Sequence, residues 1–224
     1  MAIEKATFNS TDGHRLEGRL ALPEQPAGAA VICHAHPLYG GSMSNAPITS
    51  IQRALLSAGW ASLRFNFRGV RLSEGTYGGG IHEVRDVAGA LEHLAQMLPG
   101  KPLAVTGWSF GSLVGLSAAA ADPRVTAYVA CAPPVSTGPR MDLPELPPPE
   151  RLAAWRARVM AICGDHDQFC KPKDLERWAH DVSADAIVRV IEGTDHYFAE
   201  ALDELSKSVA TFIAEDPWHS STDR

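Results

Sequence analysis

Gly107-Trp108-Ser109-Phe110-Gly111 follows an apolar, strand-like run, Pro102 to Thr106, and precedes a run of small residues with helical character, Ser112 to Ala121. A serine between two glycines at a strand-to-helix junction has the context of a nucleophile elbow. Glycine on either side permits unusual backbone angles and brings no Cβ to crowd the turn. Such a turn lifts the hydroxyl above a sheet, at a helix N-terminus whose free amides favour negative charge.

Outward from this pentapeptide, short β-rich runs alternate with helix-like runs. Ile3 to Phe8 and Arg15 to Leu22 flank the turn Asn9-Ser10-Thr11-Asp12-Gly13 and predict a hairpin. Ala29 to Cys33 is continuously apolar, as in a strand buried on both faces. A polar loop, His34 to Asn45, leads to a helix over Ala46 to Ala58 with Asn45 as its N-cap. A strand follows over Ala61 to Phe67, then a glycine-rich loop from Arg68 to Gly80. Ile81 to Leu98 repeats its apolar residues at helical spacing. Beyond the elbow come strands at Val125 to Cys131, Val159 to Cys163 and Ile187 to Ile191, and helices at Lys173 to His180 and Phe198 to Ala214. Ala132 to Glu150 is proline-rich and reads as an extended loop, and the polar tail from Trp218 reads as frayed. This order predicts an α/β fold: a mostly parallel sheet with an antiparallel N-terminal edge and helices on both faces. The 224 residues, 45% of them hydrophobic, suit one domain spanning 1–224.

The net charge of −6, with no basic run, argues against nucleic acid or an anionic membrane as main partner. No apolar stretch reaches the roughly 20 residues that span a bilayer. Charges occupy the N-terminal segment where a signal peptide carries its apolar core, so a cytoplasmic protein is expected. Cys33, Cys131 and Cys163 lie in or at the ends of apolar runs and read as buried free thiols; Cys170 reads as less sheltered.

A serine hydroxyl needs a positioned base, and that base needs a carboxylate to fix its tautomer. In this fold the chain order runs serine, acid, histidine. The acid is sought after Val159 to Cys163, in Gly164-Asp165-His166-Asp167-Gln168-Phe169. Asp167 is favoured, because a residue a few positions past the strand end can turn back over the sheet edge. Asp165, directly after Gly164, suits an Asx-turn or a solvated position. The base is His196, in Gly193-Thr194-Asp195-His196-Tyr197-Phe198, between the last strand and the last helix. For the oxyanion, one backbone donor is the amide of Phe110 and the other comes from His34-Ala35-His36-Pro37-Leu38-Tyr39-Gly40-Gly41. Pro37 has no N–H, and Leu38 is chosen over Tyr39. His34 and His36 alternate as metal ligands do, but Leu38 and Tyr39 stand where a binuclear site needs an acid and a histidine, so no metal is expected. Hydrogen bonds that brace the oxyanion loop are the expected role of both histidines.

The segments HAHPLYGGSM (34 to 43), FNFRGVRLSEG (65 to 75), GWSFG (107 to 111), GDHDQF (164 to 169) and GTDHYF (193 to 198) together resemble the capless bacterial α/β-hydrolases of the dienelactone hydrolase-like and esterase-like branch. The likeness runs from about Phe8 to Ala214. It implies an α/β-hydrolase fold without a cap and a catalytic set of Ser109, Asp167 and His196. It departs from the dienelactone hydrolases in having serine as nucleophile, and Arg71 stands where a second glycine often occurs. The resemblance implies hydrolysis of an ester or thioester. The reading is a cofactor-free, carboxylesterase-like serine hydrolase of small acyl substrates, with Trp108, Phe110, Tyr39 and the proline-rich loop walling a shallow pocket. A thioesterase or acyltransferase on the same triad, or an idle hydrolase fold used for binding, are the rival readings. Nothing in the sequence sets the oligomeric state.

Overall fold

The computed structural model describes residues 2–137 and 143–215. The polar tail from Trp218 and the centre of the proline-rich stretch lie outside the described residues. Among the described residues, eight strands form one sheet: β1 (Ala2–Asn9), β2 (Arg15–Leu22), β3 (Ala29–Cys33), β4 (Ala61–Phe65), β5 (Leu103–Trp108), β6 (Val125–Cys131), β7 (Arg158–Gly164) and β8 (Ile187–Ile191). Their spatial order is β1-β2-β4-β3-β5-β6-β7-β8. β1 pairs antiparallel with β2, and β2 with β4; every later pairing is parallel. This is the expected α/β-hydrolase architecture with its antiparallel N-terminal edge.

Among the described residues there are six α-helices: α1 (Ala46–Ser57), α2 (Glu83–Met97), α3 (Phe110–Ala119), α4 (Pro149–Ala154), α5 (Pro172–Val182) and α6 (Leu202–Ala214). Because successive side chains of a strand point to opposite faces, each buried strand feeds two cores. Val31, Cys33, Leu63, Phe65, Val105, Tyr128 and Ala161 pack with Leu91 of α2, Val114 of α3 and Leu175 of α5. Ile32, Ala104, Trp108, Val129, Cys131 and Ile162 pack with Ile51 of α1 and Val209 of α6. Burial on both faces is why β3, β5 and β6 carry hardly a polar residue.

Element ends depart from expectation where local geometry intervenes. α6 begins at Leu202, not Phe198, because Phe198 takes φ +54°, which no right-handed helix admits. The strand expected to reach Phe67 stops at Phe65, and β5 runs on to Trp108 because its pairing with β6 continues to Cys131. The proline-rich connection is not extended throughout: Pro149, at a first helical position where its missing N–H costs nothing, opens the short α4. Asn45 precedes α1, but its side chain makes no capping bond; its Oδ1 accepts the Ser42 amide at 2.7 Å. Cys170 is as buried as the other three free cysteines. Burial raises the Cys131 thiol to about 12, and the neighbouring Cys163 together with burial raises that of Cys170. Among the described residues, no helix is long and apolar enough to cross a membrane.

Arg68 fixes the long loop after β4. Its side chain is 3% exposed. Its Nε and Nη2 donate to Asp86 Oδ1 at 3.0 and 2.7 Å, and its amide donates to Asp86 Oδ2 at 2.9 Å. Nη1 and Nη2 also reach Asp12, in the β1–β2 turn, at 3.0 and 2.8 Å. Removing Arg68 would leave the buried Asp86 without its counter-charge, at a cost of about 3–5 kcal/mol. The loop is thereby tied to both α2 and the hairpin.

Candidate active site

β3 lies between β4 and β5, so the chain leaves its end toward one side and returns on the other. Such a switch point opens a crevice at the carboxyl ends of the strands. The loops after β3, β5, β7 and β8 meet there, and they carry the residues singled out from the sequence.

Ser109 joins β5 to α3 with φ +56° and ψ −127°, a conformation costing a non-glycine residue about 1–3 kcal/mol. Its amide donates to Cys131 O at 2.8 Å, and its carbonyl accepts the Ser112 amide at 2.9 Å. The flanking glycines serve space, not backbone freedom, for neither has a positive φ. A Cβ on Gly107 would run into the Gly111 carbonyl, and one on Gly111 into the carbonyls of His34 and Cys33. The serine itself takes the left-handed turn.

Ser109 Oγ lies 2.9 Å from His196 Nε2, and His196 Nδ1 lies 2.9 Å from Asp167 Oδ2. All three residues are buried, Ser109 being 8% exposed. The network assigns the tautomer: Nδ1–H donates to the carboxylate and Nε2 accepts from the hydroxyl. Of the two readings of Asp165 the exposed one holds, and the Asx-turn is made by Asp167, whose Oδ1 accepts the amides of Phe169 and Cys170 at 2.8 and 3.0 Å. One oxygen thus anchors the loop and the other faces His196. Asp165 instead accepts the Thr194 amide at 3.3 Å.

Trp108 departs from its expected place in the pocket wall. One position before Ser109 on β5, its side chain points to the α1/α6 face of the sheet and is 4% exposed. Its Nε1–H donates to the His196 carbonyl at 2.9 Å, holding the histidine loop from below. The Phe110 ring is likewise buried, packed on His36 and Phe67, so it forms no wall of an open pocket. The Phe110 amide starts α3, where no intrahelical acceptor exists. Tyr39 is 72% exposed, with its ring against that of His36. Phe169 sets its ring edge-on to His196, centroids 4.9 Å apart.

The loop after β3 is stitched through its two histidines. His34 Nδ1 lies 2.6 Å from the Ala35 carbonyl, and its Nε2 accepts the Phe67 amide at 3.1 Å. Phe67 supplies an N–H, so Nε2 is unprotonated and Nδ1 is the donor. The Leu38 amide donates to His36 Nδ1 at 3.2 Å, and the Tyr39 and Gly41 amides donate to the His36 carbonyl at 3.1 and 3.0 Å. Both amides considered for the oxyanion thus already have an acceptor. His36 Nε2 is 2.9 Å from the Tyr77 hydroxyl. Tyr77 was missed in the sequence: it belongs to the glycine-rich loop, and its partner is 41 residues away. Arg71, in the same loop, adopts φ +56°, a conformation that favours glycine, and is exposed.

Burial lowers the His34 imidazole from 6.5 to about 4, outweighing the opposing effect of the Ala35 carbonyl. Unfolded chain therefore takes up this proton first as pH falls. The contribution of neutral His34 is complete above about pH 6.5 and is lost progressively toward pH 4. In urea titrations across that window, wild type is expected to lose more stability than His34→Gln. Parallel curves would refute this role.

The serine aminopeptidase family (S33) matches this chain over residues 25–161. The chain belongs to that hydrolase family. An uncharacterised Rickettsia prowazekii protein shares 30% identity with this family member over 213 residues, 92% of this chain and 87% of the other. A lidless α/β serine hydrolase from Xanthomonas campestris is 29% identical, covering 95% of this chain and 94% of that one, with a TM-score of 0.79. A protein of unknown function from Agrobacterium tumefaciens, described as a putative α/β hydrolase, is 27% identical, covers 94% of both chains and has a TM-score of 0.80. As in a lidless hydrolase, the described part of this aminopeptidase-family chain between β6 and β7 carries only the six-residue α4. A cavity of about 1210 Å³, lined by Trp155, His180 and Phe212 among others, opens at the opposite end of the strands and touches none of the four site loops.

Proposed function

We propose that this chain is a serine hydrolase that cleaves small acyl esters through an acyl-enzyme, in the manner of a carboxylesterase. The observation that carries the reading is the unbroken hydrogen-bonded line Ser109–His196–Asp167, with both contacts at 2.9 Å. Ser109 Oγ attacks the acyl carbon, its proton passes to His196 Nε2, and negative charge moves to the carbonyl oxygen. The amides of Phe110 and Leu38 receive that charge. Asp167 stabilises the imidazolium, which then protonates the departing alcohol as the C–O bond breaks. A water molecule, deprotonated by His196, attacks the acyl carbon, and the imidazolium returns that proton to Ser109 Oγ as the ester bond to the serine breaks and the acid leaves.

Removing an N-terminal residue from a peptide would call for a carboxylate to hold the substrate's ammonium group. On the described site loops, three carboxylates already accept hydrogen bonds. Asp165 and Asp195 accept the amides of Thr194 and Tyr197, and Asp167 serves His196. The buried Glu83 accepts those of Gly78 and Gly80. This favours a neutral ester, and the exposed Tyr39 suits a shallow site for short acyl groups. We further propose that the protein acts in the cytoplasm on a small-molecule substrate, without nucleic acid, membrane or cofactor.

A fluorophosphonate probe followed by peptide mass spectrometry tests the reading. Stoichiometric labelling of Ser109 in folded protein is expected, together with hydrolysis of p-nitrophenyl acetate. Absence of both would overturn the proposal.

A further inference from the structure

We propose that His36 is a positioning residue for the oxyanion site, holding the Leu38 amide on Nδ1 until charge develops on the substrate. The inference rests on the hydrolase reading above. His36 is 6% exposed and lies at the centre of the loop that follows β3. It caps the turn Pro37–Tyr39: the Leu38 amide donates to its Nδ1 at 3.2 Å. Its carbonyl gathers the Tyr39 and Gly41 amides. An acceptor of an N–H bears no proton, so in neutral His36 the proton sits on Nε2 and is donated to the Tyr77 hydroxyl oxygen at 2.9 Å. The ring is clamped by those of Phe110 and Tyr39, each 4.7 Å away, and of Tyr77 at 4.9 Å. Phe110 also supplies the other proposed oxyanion amide, so one imidazole registers both donors.

A bond of 3.2 Å is at the long end for N–H donors. An oxyanion is a stronger, charge-assisted acceptor. The Leu38 amide therefore has a partner in the resting enzyme, yet shifts toward the substrate oxygen with little loss once that oxygen is charged. Such an interaction is realised mainly in the transition state and appears in kcat, not KM.

Two substitutions separate the ring nitrogens. Asparagine places an acceptor near the Nδ1 position and is among the best caps for a turn, but it does not reach Tyr77. Glutamine reaches toward the Nε2 position and keeps the Tyr77 contact, but caps poorly. Turnover of p-nitrophenyl acetate is measured for both, with thermal melts and fluorophosphonate labelling. His36→Gln is expected to lower kcat about 10- to 100-fold with KM little changed. His36→Asn is expected to recover most of that loss. Equal kcat in the two variants, the reverse order, or a rise in KM alone would overturn the inference. Should His36→Gln fail to fold, a kcat loss beyond about 10-fold in His36→Asn would also overturn it. Wild type that neither labels nor turns over would instead defeat the hydrolase reading itself.

Discussion

Replacing Ser109 with alanine is expected to lower kcat for p-nitrophenyl acetate by about 100,000-fold, leaving a residue due to binding and the oxyanion donors. The effect is large because the hydroxyl is the only atom of this side chain that meets His196, at 2.9 Å. Without it the imidazole has nothing to deprotonate except water that the site does not orient. The change should leave the fold intact. Alanine fits the same volume, and the bonds that hold the turn, Ser109 amide to Cys131 and Ser112 amide to Ser109 carbonyl, belong to the backbone. Circular dichroism and melting within a few degrees of wild type, with probe labelling abolished, would isolate the chemistry. A variant keeping more than about a hundredth of wild-type kcat would show that another group attacks the ester.

Asp167→Asn is expected to cost about 10,000-fold in kcat with little change in melting temperature. The Asx-turn explains both halves. Oδ1 accepts the Phe169 and Cys170 amides, so in the variant the asparagine oxygen stays with those donors and its NH2 group must face His196. The imidazole then accepts at Nδ1 and carries its proton on Nε2, pointing it at Ser109. In that tautomer it cannot take the serine proton. Asp165→Asn keeps an oxygen for the Thr194 amide and touches neither His196 nor Ser109, so its kcat should stay within a few-fold of wild type. Comparable losses in the two variants, read from initial rates on one ester, would reassign the acid.

The fold was legible where burial dictates composition. The five-residue run Ala29–Cys33 is buried throughout and has no other reading than an interior strand. Element ends were less legible, because single backbone angles set them: the +54° at Phe198 delays α6, and composition does not announce it. In the site, Ser109, Asp167 and His196 could be picked from motif order, since each follows a strand that is itself plain in the sequence. Trp108 could not, because an aromatic beside a nucleophile suggests a wall until one asks which face of β5 it occupies. The bond between Leu38 and His36 was hidden for another reason. It depends on the pucker of a three-residue turn, and its brace at Tyr77 arrives from a different loop.

The bond from the Trp108 indole to the His196 carbonyl has a mechanical meaning. The histidine loop springs from β8, an edge strand paired on one side only and exposed at Ile187 and Val190. Edge strands loosen more readily than central ones. Trp108 moors the histidine instead to β5, the interior strand that also ends in Ser109. Ser109 and His196 therefore share one datum, and their separation need not follow the fluctuations of the sheet's outer margin.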